Sequence, residues 1–397
     1  MESWDRIGIA LAPSLAWEGN YIAEPSVFED TSGWRMWYRG GWTTPGVGHA
    51  TADSPEGPWT KTGDPLLTGY FCPQVRKIDS TYHLFAVQSN WQSIDHYTSS
   101  DGLAWTLAQS GAVTTGTSGQ WDHSALGNCY PWQDTDGNWY LYYEAGNWGT
   151  GPCWVIGVVT APSVNGPWTK QGQVLGDANF FNAGGPCVSR LNGDLFMWFH
   201  GAYPSGLPTD ICLAYGRTPL QWSAISRPSL YRLGVDEGQG MALGQVADPE
   251  VTTGGYVFYD TCADGQNNTS PGYIKAAKFS CPTGSYLGRF SYTAPVSGWS
   301  NPSRETWYVL KDGMVLLNYF VGGLSNASTA TLTLPIPVAP GYTARSSCAM
   351  VIDNGVTGQD GGANASGTTL TFYRNSLWNG WSPGGQKVVQ GQITYPI

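Results

Sequence analysis

The chain has 397 residues, of which 12% are charged and 14% are aromatic, and its formal net charge is −10. An acidic chain repels the phosphates of nucleic acids and of anionic lipids, so we expect no nucleic-acid partner. The N-terminus lacks a basic start followed by an apolar run, and no stretch of about 18 apolar residues occurs, so we expect neither a signal peptide nor membrane insertion. The 53 glycines and 20 tryptophans favour tight turns and aromatic strands over helices.

A fivefold repeat organises the first part of the chain. Each repeat opens with a proline-led apolar strand, continues with an aromatic strand, and in four cases ends at a tryptophan. The prolines are Pro25, Pro73, Pro131, Pro186 and Pro249, and the aromatic strands are 34–41, 82–89, 139–146, 195–202 and 256–262. Units of this length that contain only strands are typical of propeller blades, which bury their faces against neighbouring blades.

The tryptophan missing from the fifth repeat is found at the start of the chain. Trp4 in SWDRIGIAL is followed by the strand pattern that follows Trp59 and Trp168 in the earlier repeats. We therefore expect residues 3–11 to form the outer strand of the last blade, which would remove an exposed sheet edge. The predicted fold is all-β, with a five-bladed β-propeller over residues 1–284.

The remaining residues predict a second, smaller domain. Residues 285–303 are rich in Ser, Gly and Pro and are interpreted as a linker. Residues 304–397 contain short alternating strands and Gly-rich turns, the pattern of a small β-sandwich or jelly roll.

The C-terminal motifs WYVLKDGMVLLNY, GLSNASTATLTLP and SGTTLTFY resemble the C-terminal domains of bacteriophage tail fibre and minor tail proteins. This resemblance implies a phage or prophage origin, a role in attachment or assembly, and a virion-associated location or release by lysis. By the same resemblance a homotrimer would form through the C-terminal domain. The alternative is an accessory sandwich of a bacterial enzyme.

In a propeller, the first strand of each blade begins at the rim where the second strand ends, so residues at these ends should share one face. The residues before the prolines are Glu24, Cys72, Tyr130, Gly185 and Asp248, and those ending the aromatic strands are Arg39, Gln88, Glu144, His200 and Asp260. Ionisable groups on otherwise aromatic strands are costly to bury unless paired, which makes this set a candidate functional site.

Loops that enter the first strands supply a second set of candidates. They carry Glu18, Asp122, His123, Asp177, Asp236 and Glu237, and we expect them to surround the mouth of the funnel. Trp42, Trp91 and Trp148 follow second strands, where flat indole faces suit the apolar face of a sugar ring.

The motifs AEPSVFED, GWRMWYRG, HATADSPEGPWTK and VADPEV resemble the five-bladed glycoside hydrolases and their relatives, the arabinanase, xylosidase, fructosidase and mannoside-phosphorylase families. These families place a catalytic carboxylate near the first proline, where this chain has Glu24. The chain departs from the family at Cys72, where an aspartate is usual. Tyr130 or Gly185 likewise stands where a later acidic residue is expected.

The resemblance and the residues together predict a glycosidase that acts on a bacterial surface glycan or a related oligo- or polysaccharide. The catalytic candidates are Glu24, Asp248, Asp122 and Glu144, because glycosidic cleavage needs a pair of carboxyl groups. The substrate-binding candidates are Arg39, Trp42, His123, Trp148, His200 and Trp91. A non-catalytic, receptor-binding propeller remains the alternative, and Arg39 could equally pair with Glu24.

No cofactor and no metal ligands are expected. The acidic loops do not match an EF-hand, so a structural calcium is left open without support from the sequence. The eight cysteines form no C-x-x-C pair, and we interpret Cys72, Cys129, Cys187 and Cys262 as buried thiols, with disulfides left open.

Overall fold

The computed structural model describes residues 4–396, except 147–153, 177–181, 192, 203–208, 231, 240–243, 264–269, 280–289, 292–293, 312–313, 325–328, 336, 340, 354–355, 359–360 and 374–385. The described part is almost entirely β-structure. Its helical segments are the two short 3-10 turns Ala16–Glu18 and Val235–Glu237. Within it, no helix is both long and apolar enough to span a membrane.

Five antiparallel units follow one another along the chain. The strand before them is β1 (Trp4–Leu11). Unit 1 contains β2 (Ile22–Asp30), β3 (Gly33–Gly40), β4 (Gly46–Ala52), β5 (Thr60–Lys61) and β6 (Leu67–Thr68). Unit 2 contains β7 (Tyr70–Ile78), β8 (Thr81–Gln88), β9 (Ser93–Ser99) and β10 (Thr106–Thr114).

Units 3 to 5 repeat this arrangement. Unit 3 contains β11 (Ala125–Gln133), β12 (Trp139–Gly146), β13 (Trp154–Ala161) and β14 (Thr169–Leu175). Unit 4 contains β15 (Asn182–Leu191), β16 (Asp194–Ala202), β17 (Thr209–Thr218) and β18 (Gln221–Leu230). Unit 5 contains β19 (Gln245–Val251), β20 (Tyr256–Cys262) and β21 (Gly272–Phe279). The second strand of every unit falls within one residue of an aromatic strand predicted from the sequence.

The five first strands contact one another in the cyclic order β2, β7, β11, β15, β19 and back to β2. Large aromatic side chains of the second strands are buried around this ring, among them Trp37, Phe85, Tyr143, Trp198 and Phe258. Because each unit buries its faces against the next, the ends of all five first strands meet around one axis.

The N-terminal strand β1 pairs antiparallel with β21, from Trp4 opposite Phe279 to Leu11 opposite Ile274. Side chains reinforce this pairing. The Arg6 guanidinium donates to Glu237 Oε1 at 3.0 Å and to Tyr259 Oη at 2.7 Å. Residues from the beginning of the chain therefore supply both the edge strand and a buried ion pair of unit 5.

Unit 3 differs from its prediction in where the first strand bulges. Its register shift lies between Leu126 and Cys129, whereas the other first strands shift at the residue before their proline and at the proline itself. The cause is the hairpin of unit 3, which has five residues between Gln133 and Trp139, against two between Asp30 and Gly33 in unit 1. The position predicted for Tyr130 is therefore taken by Gly127, and Pro131 lies deeper in the strand.

The C-terminal strands form a separate ladder. Its strands are β22 (Phe290–Ser291), β23 (Val296–Ser297), β24 (Ser300–Lys311), β25 (Met314–Leu324), β26 (Ala330–Thr333), β27 (Ala344–Asp353), β28 (Val356–Gly358), β29 (Gly362–Ser366), β30 (Thr369–Tyr373) and β31 (Gln386–Pro396). They are hydrogen-bonded in the order β22-β24-β25-β31-β27-β29-β30-β26-β23, with β28 on β27. The Tyr319 ring of β25 lies 5.1 Å from the Phe372 ring of β30, so distant parts of the ladder pack face to face.

The described cysteines are all buried free thiols. They are Cys72, Cys129, Cys187, Cys212, Cys262 and Cys348. This confirms the interpretation of the four cysteines that the sequence placed beside first and second strands.

Candidate functional site

The residue before the proline has the same unusual backbone conformation in four units. Glu24, Cys72, Gly185 and Asp248 have φ values of +54°, +52°, +56° and +51°. Only glycine adopts this left-handed region without cost, so three of the four positions store backbone strain. Strain of this kind is concentrated at functional sites.

The backbone amides at these positions bind carboxylates of a neighbouring unit. The Cys72 N–H donates to Glu24 Oε2, and the Gly185 N–H donates to Glu144 Oε2 at 3.3 Å. The Glu24 N–H donates to Asp260 Oδ1 at 3.4 Å. Three of the four left-handed residues therefore stabilise buried acidic side chains through their backbone amides.

A cavity of about 230 Å³ opens at this point of the axis. Its lining combines the ionisable groups with aromatic and polar residues: Glu24, Arg39, Cys72, Trp91, Gly127, Asn128, Glu144, Trp154, Asn182, His200, Thr209, Gln245, Ala247 and Asp248. All five units contribute, so the cavity exists only in the folded ring.

Glu24 and Arg39 form a buried ion pair at the wall of the cavity. Arg39 Nη1 lies 2.8 Å from Glu24 Oε1, and the two side chains are 3% and 7% exposed. The guanidinium also donates from Nε to Gly41 O at 3.3 Å and packs against the Trp42 and Phe71 rings. The Arg39 guanidinium is therefore occupied by contacts within the protein, which favours its role as the partner of Glu24 over binding of an acidic sugar.

Asp248 has an environment that opposes its ionisation. Burial, together with the negative charges of Glu24 and Glu144, raises the pKa of Asp248 to about 8. Burial and the negative charge of Asp248 hold the pKa of Asp260 well above its usual range. Asp248 Oδ1 accepts a hydrogen bond from Asn128 Nδ2 at 2.7 Å. This pair of aspartates therefore retains a proton at neutral pH.

Glu144 is the third carboxyl group of the cavity. Burial raises the pKa of Glu144 although His200, the Gly185 amide and Asn128 act in the opposite direction. The backbone of unit 4 comes close to Glu144 at Gly184, where an added Cβ would clash with the Glu144 carboxyl group. A Cβ added at Gly185 would lie 2.6 Å from Asp248 Oδ1, so this glycine is required by both space and φ.

His200 links two of the carboxyl groups. Its Nδ1 lies 3.0 Å from Asp248 Oδ1, and its Nε2 lies 4.0 Å from Glu144 Oε1. One donor atom from each of Glu144, His200 and Asp248 lies within 4.8 Å of the others. This spacing would suit a cation, so these are the described residues best placed to hold a metal, although the sequence led us to expect none.

The structure brings together six of the predicted residues and separates others. The lining contains Glu24, Asp248, Glu144, Arg39, His200 and Trp91. Trp42 is not in the lining, but its ring lies 4.7 Å from the Arg39 guanidinium. Trp148 and Asp177 lie outside the described residues.

Asp122 and His123 do not line the cavity. Asp122 accepts hydrogen bonds from Lys170 Nζ at 2.6 Å and from the Tyr143 hydroxyl at 3.0 Å, both within unit 3. His123 Nδ1 lies 3.1 Å from the backbone oxygen of Gln120. The geometry therefore gives Asp122 a structural role, and the catalytic assignment made from its loop position is not supported.

The other loop carboxylates repeat this structural arrangement. Glu18 bonds to the Tyr38 hydroxyl at 2.7 Å and to Lys61 Nζ at 2.6 Å in unit 1. Glu237 bonds to the Tyr259 hydroxyl at 3.2 Å in unit 5, where Arg6 and Lys275 together take the place of the GPWTK lysine. The lysine of the GPWTK motif thus ties an outer strand to the entering loop, and the expected ring of loop acids around the funnel mouth does not form from these residues.

Seven lining residues were not predicted from the sequence: Gly127, Asn128, Trp154, Asn182, Thr209, Gln245 and Ala247. Asn128 lies in the bulge of unit 3 at the position where the other units have their proline. Because Pro131 matched those prolines in the sequence, Asn128 was not predicted. The signal was present in the DTDGN turn at 134–138, which lengthens the hairpin and moves the bulge. Trp154 and Thr209 begin third strands, and no pattern in the sequence separates them from packing residues.

Comparisons with known proteins give matches in structure only. No protein-family model and no curated protein matches the chain. An α-L-arabinofuranosidase from Podospora anserina in complex with cellotriose is 12% identical, with a TM-score of 0.57 over 71% of this chain and 98% of that one. The catalytic domain of a GH62 α-L-arabinofuranosidase from Coprinopsis cinerea is 14% identical, with a TM-score of 0.53 over 70% and 98%.

A thermostable family-43 glycoside hydrolase is 17% identical, with a TM-score of 0.50 over 67% of this chain and 90% of that one. At such identities the likeness concerns the fold. The chain therefore shares its fold with propeller-type glycoside hydrolases.

Proposed function

We propose that the protein is a glycosidase that cleaves an oligo- or polysaccharide in the axial cavity. The observation that carries this proposal is that Glu24, Glu144 and Asp248 line one cavity. Glu24 is paired with an arginine, whereas the pKa values of Glu144 and Asp248 are raised. Hydrolysis of a glycosidic bond needs one ionised carboxylate and one carboxyl group that holds a proton. The fold shared with glycoside hydrolases supports the same chemistry.

In this proposal Glu24 is the ionised residue, acting as base or nucleophile. Arg39 and the Cys72 amide stabilise its negative charge. Asp248 is the proton donor, because its raised pKa keeps it protonated at neutral pH. Glu144 lies within 4.8 Å of Asp248 and is the second candidate for that role.

The test is the release of new reducing ends from a panel of bacterial surface polysaccharides. We expect Glu24→Gln and Asp248→Asn each to lower the rate by about 10² or more while the protein stays folded. Glu29→Gln is a matched control, because Glu29 is an exposed residue of the same strand as Glu24. Unchanged rates in both site variants would remove these residues from the chemistry.

A non-catalytic glycan-binding propeller is the second candidate function. Cys72, Gly127 and Gly185 stand at the positions where units 1 and 5 have Glu24 and Asp248, so three of the five equivalent positions lack a carboxyl group. Under this alternative, glycans bind but no reducing ends appear, and Glu24→Gln alters affinity alone.

The architecture proposed from the sequence extends to the whole chain. We propose that units 1 to 5 are the blades of a five-bladed propeller over residues 1–284, with β1 as the outer strand of the fifth blade. The cyclic contacts of the first strands and the pairing of β1 with β21 support this arrangement. Residues 285–303 would be the linker, and 304–397 a β-sandwich, for which the contact between Tyr319 and Phe372 is the support.

We further propose that the C-terminal domain attaches the protein to a phage tail, on the strength of the sequence resemblance alone. A virion-associated protein, trimeric through residues 304–397, is the expected state. Light scattering of the full chain measures the oligomeric state, and a monomer at micromolar concentration would contradict the trimer.

A further inference from the structure

Trp91 has the strained backbone of the other site residues but lies outside their repeat position. Its φ is +63°, and for a bulky residue this value is a true outlier. Two backbone hydrogen bonds fix it, from the Trp91 N–H to Gln88 O and from the Leu126 N–H to Trp91 O, both at 2.8 Å. A residue kept in such a conformation at the wall of a cavity indicates a functional constraint.

The indole of Trp91 belongs to a rigid stack. It lies 4.5 Å from the Phe71 ring, with 24° between the planes, and Phe71 in turn packs 4.3 Å from the Arg39 guanidinium. The Trp154 indole lies 6.2 Å from Trp91 at an interplanar angle of 48°. Both indoles line the cavity, so together they form an angled aromatic wall.

The same cavity has a polar wall of Asn182, Gln245 and Thr209. Thr209 is 4% exposed, and its hydroxyl oxygen has no hydrogen-bond partner among the described residues. A buried hydroxyl without a partner is costly, so a ligand oxygen that bonds to it would gain more than an average hydrogen bond.

We propose that Trp91 and Trp154 form a stacking platform for the apolar face of a sugar ring and that Thr209 Oγ1 bonds to a hydroxyl of that ring. Sugar rings combine an apolar face of C–H groups with hydroxyls at their edge, which matches one aromatic and one polar wall. This inference rests on the proposed function only in that the ligand is a carbohydrate. The bond to a ring hydroxyl makes Thr209 a specificity-determining residue. Stacking of the sugar ring on the indole explains why backbone strain is retained at Trp91.

The experiment measures binding in the full chain with Glu24→Gln, so that the ligand is not cleaved. Cellotriose, xylotriose and arabinotriose are titrated by calorimetry into this background and into variants that add Trp91→Gly, Trp154→Ala or Thr209→Val. We expect at least one trisaccharide to bind and each added substitution to weaken its affinity about tenfold.

The melting temperatures test the strain separately. Glycine adopts φ of +63° freely, so Trp91→Gly should melt above Trp91→Ala although both lose the indole. Asp79→Gly is the matched control, because Asp79 has φ of +54° in the exposed turn between β7 and β8. We expect it to raise the melting temperature and leave trisaccharide affinity unchanged.

Unaltered affinity in Trp91→Gly and Thr209→Val, or failure of all three trisaccharides to bind the Glu24→Gln protein, would overturn the platform. These results are distinct from those that test catalysis. A wild-type protein that binds a trisaccharide through Trp91 but releases no reducing ends would refute the glycosidase and leave the platform standing.

Discussion

Substitution of Arg39 by methionine tests whether Glu24 is ionised in the folded protein. The guanidinium lies 2.8 Å from Glu24 Oε1, and both side chains are nearly buried. Removing one partner of a buried ion pair costs about 3–5 kcal/mol, because the remaining charge is left without compensation. Glu24 keeps the Cys72 amide, so we expect the lower figure of about 3 kcal/mol.

That loss corresponds to a fall in melting temperature of roughly 6–12 °C for a domain of this size. Adding Glu24→Gln removes the uncompensated charge, so the double variant should recover most of the lost stability.

The assay is thermal or urea unfolding of the wild type, both single variants and the double variant at pH 7. Equal destabilisation of Arg39→Met and of the double variant would refute the idea that the arginine stabilises an ionised Glu24. The role of Glu24 as base or nucleophile would fall with it.

Other predictions concern the ties between strands, the glycine of the site, the proton donor and the N-terminal strand. Lys61→Met should lower the free energy of unfolding by about 3 kcal/mol and Lys170→Met by about 1 kcal/mol, because the two lysine side chains are 9% and 38% exposed. Equal losses in urea unfolding would contradict this reasoning. Gly185→Ala should abolish cleavage while circular dichroism still shows a β-fold, since its Cβ would enter the space of Asp248; full activity would disprove the close approach. If Asp248 is the proton donor, the rate should fall as the pH rises through about 8, and a flat profile up to pH 9 would exclude that role. Deleting residues 1–11 should lower the melting temperature strongly, because β21 keeps β20 but loses its outer partner strand; a normal melting curve would argue against the proposed closure.

The sequence by itself determined the repeat, the aromatic strands and most of the acidic site. The prolines and aromatic runs mark the first two strands of a unit, because these strands are buried on both faces and must be apolar. An ionisable residue at the end of such an apolar strand is costly to bury, so its presence indicates a functional role. Glu24, Glu144 and Asp248 could therefore be found without coordinates.

The tertiary structure alone decided which acids share the cavity. Glu24 lies near the start of the first strand of unit 1 and Asp122 just before that of unit 3, but Asp122 pairs with Lys170 and Glu24 with Arg39. The choice depends on left-handed backbone at Glu24 and Asp248 and on amides donated by neighbouring units, such as that of Cys72. The contacts of these amides join residues 41 or more positions apart, so no local pattern encodes them, and they form only when the ring of strands brings the units together.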